Sequence, residues 1–228
     1  MTNSPEKELA TRLRSQFPHT PTTGQERLIY AFSKFALSKK PRCTLVIKGY
    51  AGTGKTTSIG AIVRTLREMK MTTVLLAPTG RAAKVMASYS GINASTIHRR
   101  IYVVAKRPDG SDGFKLSPNL YKKTTFIVDE ASMIGESGGL VESLLDDLLE
   151  YVFSGANCRL VLVGDNAQLP PVGCDSSPAL NEGRIRASHG LTIATVELTD
   201  VVRQEIDSSI LANAHALRLR IANVEASK

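Results

Sequence analysis

The chain has 228 residues, 42% apolar and 22% charged, enough to bury a sizeable core without metal or disulfide staples and too apolar for a disordered tail. No apolar run approaches the about 18–20 residues that cross a bilayer. The N-terminus lacks a signal peptide's apolar stretch, and the three cysteines (Cys43, Cys158, Cys174) have neither disulfide nor zinc-ligand spacing. These features imply a cytoplasmic protein with reduced thiols and no membrane partner. Lys plus Arg number 29 against 21 acidic residues; the surplus of +8 suits a polyanionic partner, though charge alone also fits an ordinary basic enzyme.

Along the chain, residues 1–20 read as a helical extension and 21–205 as one main unit. The β-branched run 43–49 is expected as a buried strand, followed by a helix over 55–69. A second strand at 72–77 leads to a helix over 79–89, with Gly91 placed to stop it. Residues 100–123 hold two short extended runs around PDGSDG, expected as a basic hairpin excursion. Strands follow at 124–130, 159–165 and 192–198. Between the first two, 137–153 carries Leu144, Leu145, Leu148 and Leu149 on one face and Glu142, Asp146 and Glu150 on the other, the pattern of an amphipathic helix. A last helical pattern spans 206–224. Near-continuously apolar strands alternating with helices predict an α/β fold with a mostly parallel sheet covered on both faces.

The densest chemical signal is Gly49-Tyr50-Ala51-Gly52-Thr53-Gly54-Lys55-Thr56, a complete GxxxxGK[ST] between a strand and a helix. Glycines let the backbone curl so that successive amides converge on phosphate oxygens at the positive end of the next helix. Gly49, Ala51, Gly52, Thr53, Gly54, Lys55, Thr56 and Thr57 are therefore the candidate ATP-binding residues. Lys55 is expected to reach the terminal phosphates, and Thr56 to ligate Mg²⁺. Asp129 and Glu130 close another buried strand. Asp129 is the candidate second metal residue, acting through water, and Glu130 the candidate general base; a carboxylate pair at a strand end could instead cap the next helix.

The motif order GYAGTGKT, APTGRAAK, STIH, VDEASM, VGDNAQLPPVG and ELTDVVRQ resembles superfamily 1 DNA helicases of the 5′-to-3′ branch that contains RecD, TraA and Dda. That resemblance, over residues 20–220, implies a RecA-like P-loop domain. It implies adenine reading by Gln25, γ-phosphate sensing by Gln168 with Asp165 supporting its loop, and transition-state neutralisation by Arg203. It also implies single-stranded DNA contacts at Pro78, Thr79, Arg81, Thr96 and His98; His98 could equally be a packed histidine. Where Dda-like members carry a histidine after Pro-Thr, this chain has Gly80-Arg81, which points to the RecD-like side. In the family the 100–123 excursion is a pin at the duplex junction. Tyr102 or Phe114 could stack on a base there, or pack the hairpin on the sheet.

Motifs of a second RecA-like domain do not occur, so the chain is expected as the first motor domain alone, with 206–228 leading toward that second domain. Repair or recombination proteins are the further partners the resemblance implies. Two rival readings remain: a nucleic-acid-binding or docking module with a vestigial ATPase, and a P-loop enzyme of another kind.

Overall fold

In the computed structural model, residues 4–106, 111–135, 143–171, 173–174 and 176–200 are described. In chain order the elements are α1 (Pro5–Ser15), α2 (Thr23–Leu37), β1 (Cys43–Gly49), α3 (Lys55–Glu68), β2 (Thr73–Ala77) and α4 (Gly80–Ser90). Next come β3 (Ala94–Thr96), α5 (Ile97–Ile101), β4 (Tyr102–Lys106), β5 (Asp112–Leu116) and β6 (Thr125–Val128). The last are α6 (Leu144–Ser154), β7 (Arg159–Gly164), α7 (Glu182–His189) and β8 (Thr192–Leu198), with short 3-10 turns at Ala131–Met133 and Pro178–Leu180. The final helical pattern expected at 206–224 lies outside the described residues, as does Arg203.

Six strands form one sheet in the order β3-β2-β6-β7-β1-β8, and every pairing in it is parallel. This is the RecA-like α/β architecture expected from the alternation of strands and helices. Period-2 geometry sends Leu45, Ile47, Leu75, Ile127, Val161 and Val163 to one face, where α1 to α4 cover them. Val46, Leu76, Phe126, Val128, Leu160 and Leu162 go to the other, beneath α5 and α6. Burying one such side chain stabilises the fold by about 1.5–3 kcal/mol, so the strands hold position through both faces. The hairpin β4–β5 forms a separate antiparallel pair, with Tyr102 opposite Leu116 and Lys106 opposite Asp112.

Local chemistry sets the helix ends. Ser4 caps α1, Pro5 opens it, and its Leu9 and Leu13 are fully buried in the cluster shared with α2 and α3. Gln16, at its end, accepts from Arg64 Nε at 3.1 Å and through its carbonyl from Arg64 Nη2 at 2.8 Å, tying α1 to α3. Thr79 caps α4, and Gly91, at φ 72°, ends it as expected. Ser143 caps α6, which buries Leu144, Leu145, Leu148, Leu149 and Val152.

Because all six strands run the same way, their carboxyl ends share one edge of the sheet. The loop after β1, Asp129 after β6, Asp165 after β7, Pro78 after β2 and Thr96 at the end of β3 all fall on that edge. Open α/β sheets bind ligands there.

Candidate nucleotide and nucleic-acid site

The turn from β1 into α3 is built by glycine chemistry. Gly52 and Gly54 adopt φ of 80° and 82°, a conformation other residues reach only with strain. A Cβ on Gly49 would stand 2.6 Å from Thr53 Oγ1, so the loop closes only over glycine. Thr53 is buried, and its hydroxyl donates to the Tyr50 carbonyl at 2.7 Å, fixing the curl. Lys55 opens α3 and folds back over the loop: its Nζ donates to the carbonyls of Gly49 (2.7 Å) and Tyr50 (2.9 Å). The same Nζ lies 3.9 Å from Oδ2 of the buried Asp165. The ammonium therefore already sits over the mouth of the loop, beside the helix N-terminus that favours anions.

Asp165 has a second task. Its Oδ1 accepts from Ala167 N at 2.8 Å, which folds the turn carrying Gln168. Gln168 Oε1 in turn accepts from Ser132 Oγ at 2.9 Å. Ser132 lies in the 3-10 turn directly after Glu130, so the β6 and β7 loops are joined by one side-chain bond. Neither the pairing nor Ser132 was foreseen from sequence; a serine three residues past the strand-end aspartate is the only trace of it.

Asp129 is held on both oxygens. Oδ1 accepts from Glu130 N at 2.9 Å and Oδ2 from Tyr89 Oη at 2.8 Å. Burial, with the neighbouring Asp129 and Glu130, pushes the Tyr89 phenol far above its ordinary value, so it remains a neutral donor. Glu130 adopts φ 54°, a left-handed conformation that costs a non-glycine residue about 1–3 kcal/mol and gathers at functional sites. Tyr89 was missed in the sequence. Its signal is a tyrosine one turn beyond the buried Met86 on α4, where an aliphatic residue would suffice.

Gln25 is fully buried and completes a capping box with Thr22: Thr22 N donates to its Oε1 at 3.0 Å, and its own N–H to Thr22 Oγ1 at 3.4 Å. Its Nε2 is buried without a partner among the described residues, which leaves a donor aimed from the start of α2. Gly24 N donates to Asp200 Oδ2 at 2.7 Å, fastening that helix start to the end of β8.

The DNA candidates stand on the neighbouring strands of the same edge. Thr79 Oγ1 accepts from Ala82 N and Thr96 Oγ1 from Arg99 N, so both hydroxyls cap helices that start at the edge. Arg81 is exposed in the first turn of α4. His98 is exposed too, with its ring 5.7 Å from that of Tyr102. Tyr102 donates to Asp147 Oδ2 on α6 at 2.5 Å and so anchors the hairpin, while Phe114 stays half exposed beside it. The two aromatics that the sequence left equivalent thus differ in what they have free.

The oxygen donors fit Mg²⁺. Among the described residues no three His, Cys, Asp or Glu gather as a soft or multi-carboxylate cage. Thr56 and Asp129 offer the sparse hard set that suits a small cation sharing its shell with phosphates and water.

Residues 23–225 match the AAA domain family. The chain is 33% identical over 224 residues to the ATP-dependent RecD2 DNA helicase of Deinococcus radiodurans, covering 93% of this chain and 28% of that protein. It is 34% identical over 154 residues to the ATP-dependent DNA helicase dda of Enterobacteria phage T4, covering 66% of this chain and 33% of that one. This chain thus spans about a third or less of these relatives' length. The crystal structure of Pif1 helicase from Candida albicans shares the fold at a TM-score of 0.50 and 22% identity, over 82% of this chain and 41% of that chain. With the motif series in order along one parallel sheet, the chain belongs to the AAA domain family, as a motor domain like those of the RecD- and Dda-like helicases.

Proposed function

We propose that the chain is the ATP-binding motor domain of a RecD-like DNA helicase. It would work with a second RecA-like domain to couple ATP hydrolysis to movement along single-stranded DNA and to duplex unwinding. One observation carries the reading. The glycine loop with Lys55, the Asp129 carboxylate and Gln168 follow β1, β6 and β7, on the same sheet edge as Thr79 after β2, Arg81 in α4 and Thr96 at the end of β3, and β2 pairs directly with β6. Nucleotide chemistry and strand contact therefore share one rigid support.

In this reading the amides from Gly49 to Thr57 and the Lys55 ammonium hold the triphosphate, and Gln25 presents its free amide to the base. Thr56 and Asp129 hold Mg²⁺, which neutralises charge on the phosphates when bound. Tyr89 and the Glu130 amide keep the Asp129 carboxylate turned to its task. Glu130 takes a proton from the attacking water. Gln168 exchanges its bond from Ser132 for one to the terminal phosphate, and so passes the nucleotide state to the β6 loop. Arg203, outside the described residues, is proposed as the cation that meets charge developing in the transition state.

The test is nucleotide binding with and without Mg²⁺, followed by turnover with and without single-stranded DNA. We expect the 228 residues to bind ATP and ADP in a Mg²⁺-dependent way and to hydrolyse ATP slowly. Failure to bind either nucleotide overturns the reading.

A further inference from the structure

A cavity of about 740 Å³ opens on the amino edge of the sheet, opposite the nucleotide loop. Its walls are the turns that lead into β1, β2, β6 and β7. They bring together Lys39, Lys40, Arg42, Lys70, Lys122, Lys123 and Arg159, seven cations with no carboxylate among the lining residues. None of the seven forms an ion pair among the described residues. Nothing in the nucleotide chemistry uses this face.

Helix ends do not account for the charge. In a parallel α/β fold the helices point their carboxyl termini at this edge, and α2, α3 and α6 end beside the cavity. Each end carries roughly half a negative charge, about −1.5 in sum, against seven positive side chains. Most of the charge is left over, and a recess concentrates its field.

The backbone adds an independent observation. Five non-glycine residues have positive φ among the described residues, and four of them (Arg42, Lys70, Lys123 and Asn157) line this cavity. Glycine is the residue that occupies such turns without strain. Three of the four turns carry a long cation instead, so the fold tolerates strain where the side chain faces the recess. Phe153, Met71 and Pro41 supply apolar surface between the charges, and Arg42 stacks over the Phe153 ring at 5.4 Å. Arg159 is braced by the Ser38 carbonyl at 2.6 Å, while its Nε is buried without a partner among the described residues.

We propose that this cavity is a second nucleic-acid site, taking the phosphodiester backbone of a single strand at the edge remote from the nucleotide. A lone phosphate is satisfied by two or three donors. Seven cations from four turns, interleaved with an aromatic ring, match a run of phosphates with a base lying between them.

The experiment uses the 228-residue chain and a short fluorescent oligothymidylate, with lysine acetylation read by mass spectrometry in parallel. Bound oligonucleotide is expected to protect Lys39, Lys40, Lys70, Lys122 and Lys123. The pair Lys122→Glu and Lys123→Glu is expected to weaken binding about tenfold or more at low salt and to flatten the salt dependence. Lys70→Gly with Lys123→Gly relieves two left-handed turns, so the Tm should hold or rise while oligonucleotide affinity falls. Nucleotide binding stays unchanged in both double variants. The proposal is overturned if those lysines are acetylated equally with and without oligonucleotide, or if both variants bind it as the parent does. It is likewise overturned if tripolyphosphate, or an acidic polypeptide, displaces the oligonucleotide at equal charge concentration.

Discussion

At the scale of single residues, the site depends on how each charged group is held before any ligand arrives. Lys55 uses loop carbonyls and Asp165 as its holding partners. Lys55→Ala removes the point charge from the phosphate cradle and leaves Asp165 with its bond from Ala167 N. We expect nucleotide binding to be lost, measured by calorimetry, while the fold survives at a cost of about 1–2 kcal/mol in a denaturant melt. Collapse of the variant would show that the lysine is chiefly structural. Tyr89→Phe keeps the ring and deletes the donor to Asp129. Asp129, proposed to hold Mg²⁺, then loses one of the two bonds that orient it, and partners of this kind alter metal affinity about 10–100-fold. The expected signature is a higher Mg²⁺ concentration for half-maximal nucleotide binding, with stability lowered by only about 1 kcal/mol. An unchanged Mg²⁺ titration would remove Tyr89 from the site.

At the scale of elements, legibility follows how local the determining physics is. β1 was readable to the residue because a glycine loop terminates it, and α4 to within one residue at each end because Thr79 and Gly91 punctuate it. The three-residue β3 and the eight-residue α7 were not, since neither is long enough to show a period. The Thr22–Gln25 capping box has the three-residue spacing of a cap, but the 15-residue helix it opens was not expected from the sequence. The roles of Tyr102 and Phe114 depended on Asp147, which lies on a helix far along the chain. Burial and the bond to Asp147 raise the Tyr102 phenol above its ordinary value. Its folded value therefore exceeds its unfolded one near 10. The hairpin's stabilisation should be complete below about pH 10 and fall away as pH rises toward the folded value. Tyrosinate absorbance titration should show one late-ionising phenol fewer in Tyr102→Phe. Hydrogen exchange over residues 102–106 and 112–116 should quicken in the same variant. If neither changes, the hairpin is held by something other than this bond.

At the scale of the molecule, cations stand at both edges of one sheet, seven of them around the cavity on the amino edge. The carboxyl edge mixes its cations with the carboxylates of Asp129, Glu130 and Asp165, so under the proposed function its attraction for a strand would be local, carried by the exposed Arg81, His98 and Arg99 and the caps at Thr79 and Thr96. Such contacts are mainly ionic and backbone-directed, and each phosphate neutralised on a single strand contributes about −0.7 to the slope of log affinity against log salt. Overall binding of single-stranded DNA should therefore weaken steeply with salt. Arg81→Ala should lower the slope by about one contact without altering the melt, because its side chain is exposed in the first turn of α4. It should also leave the affinity ratio between oligothymidylate and oligoadenylate unchanged, since phosphate contacts position a strand and do not read it. Fluorescence anisotropy over a salt series measures the slope and the ratio, and a thermal melt the stability. A slope unaffected by Arg81→Ala would take the start of α4 out of the strand's path, and the nucleotide loop would then lie on an edge that no strand crosses at β2.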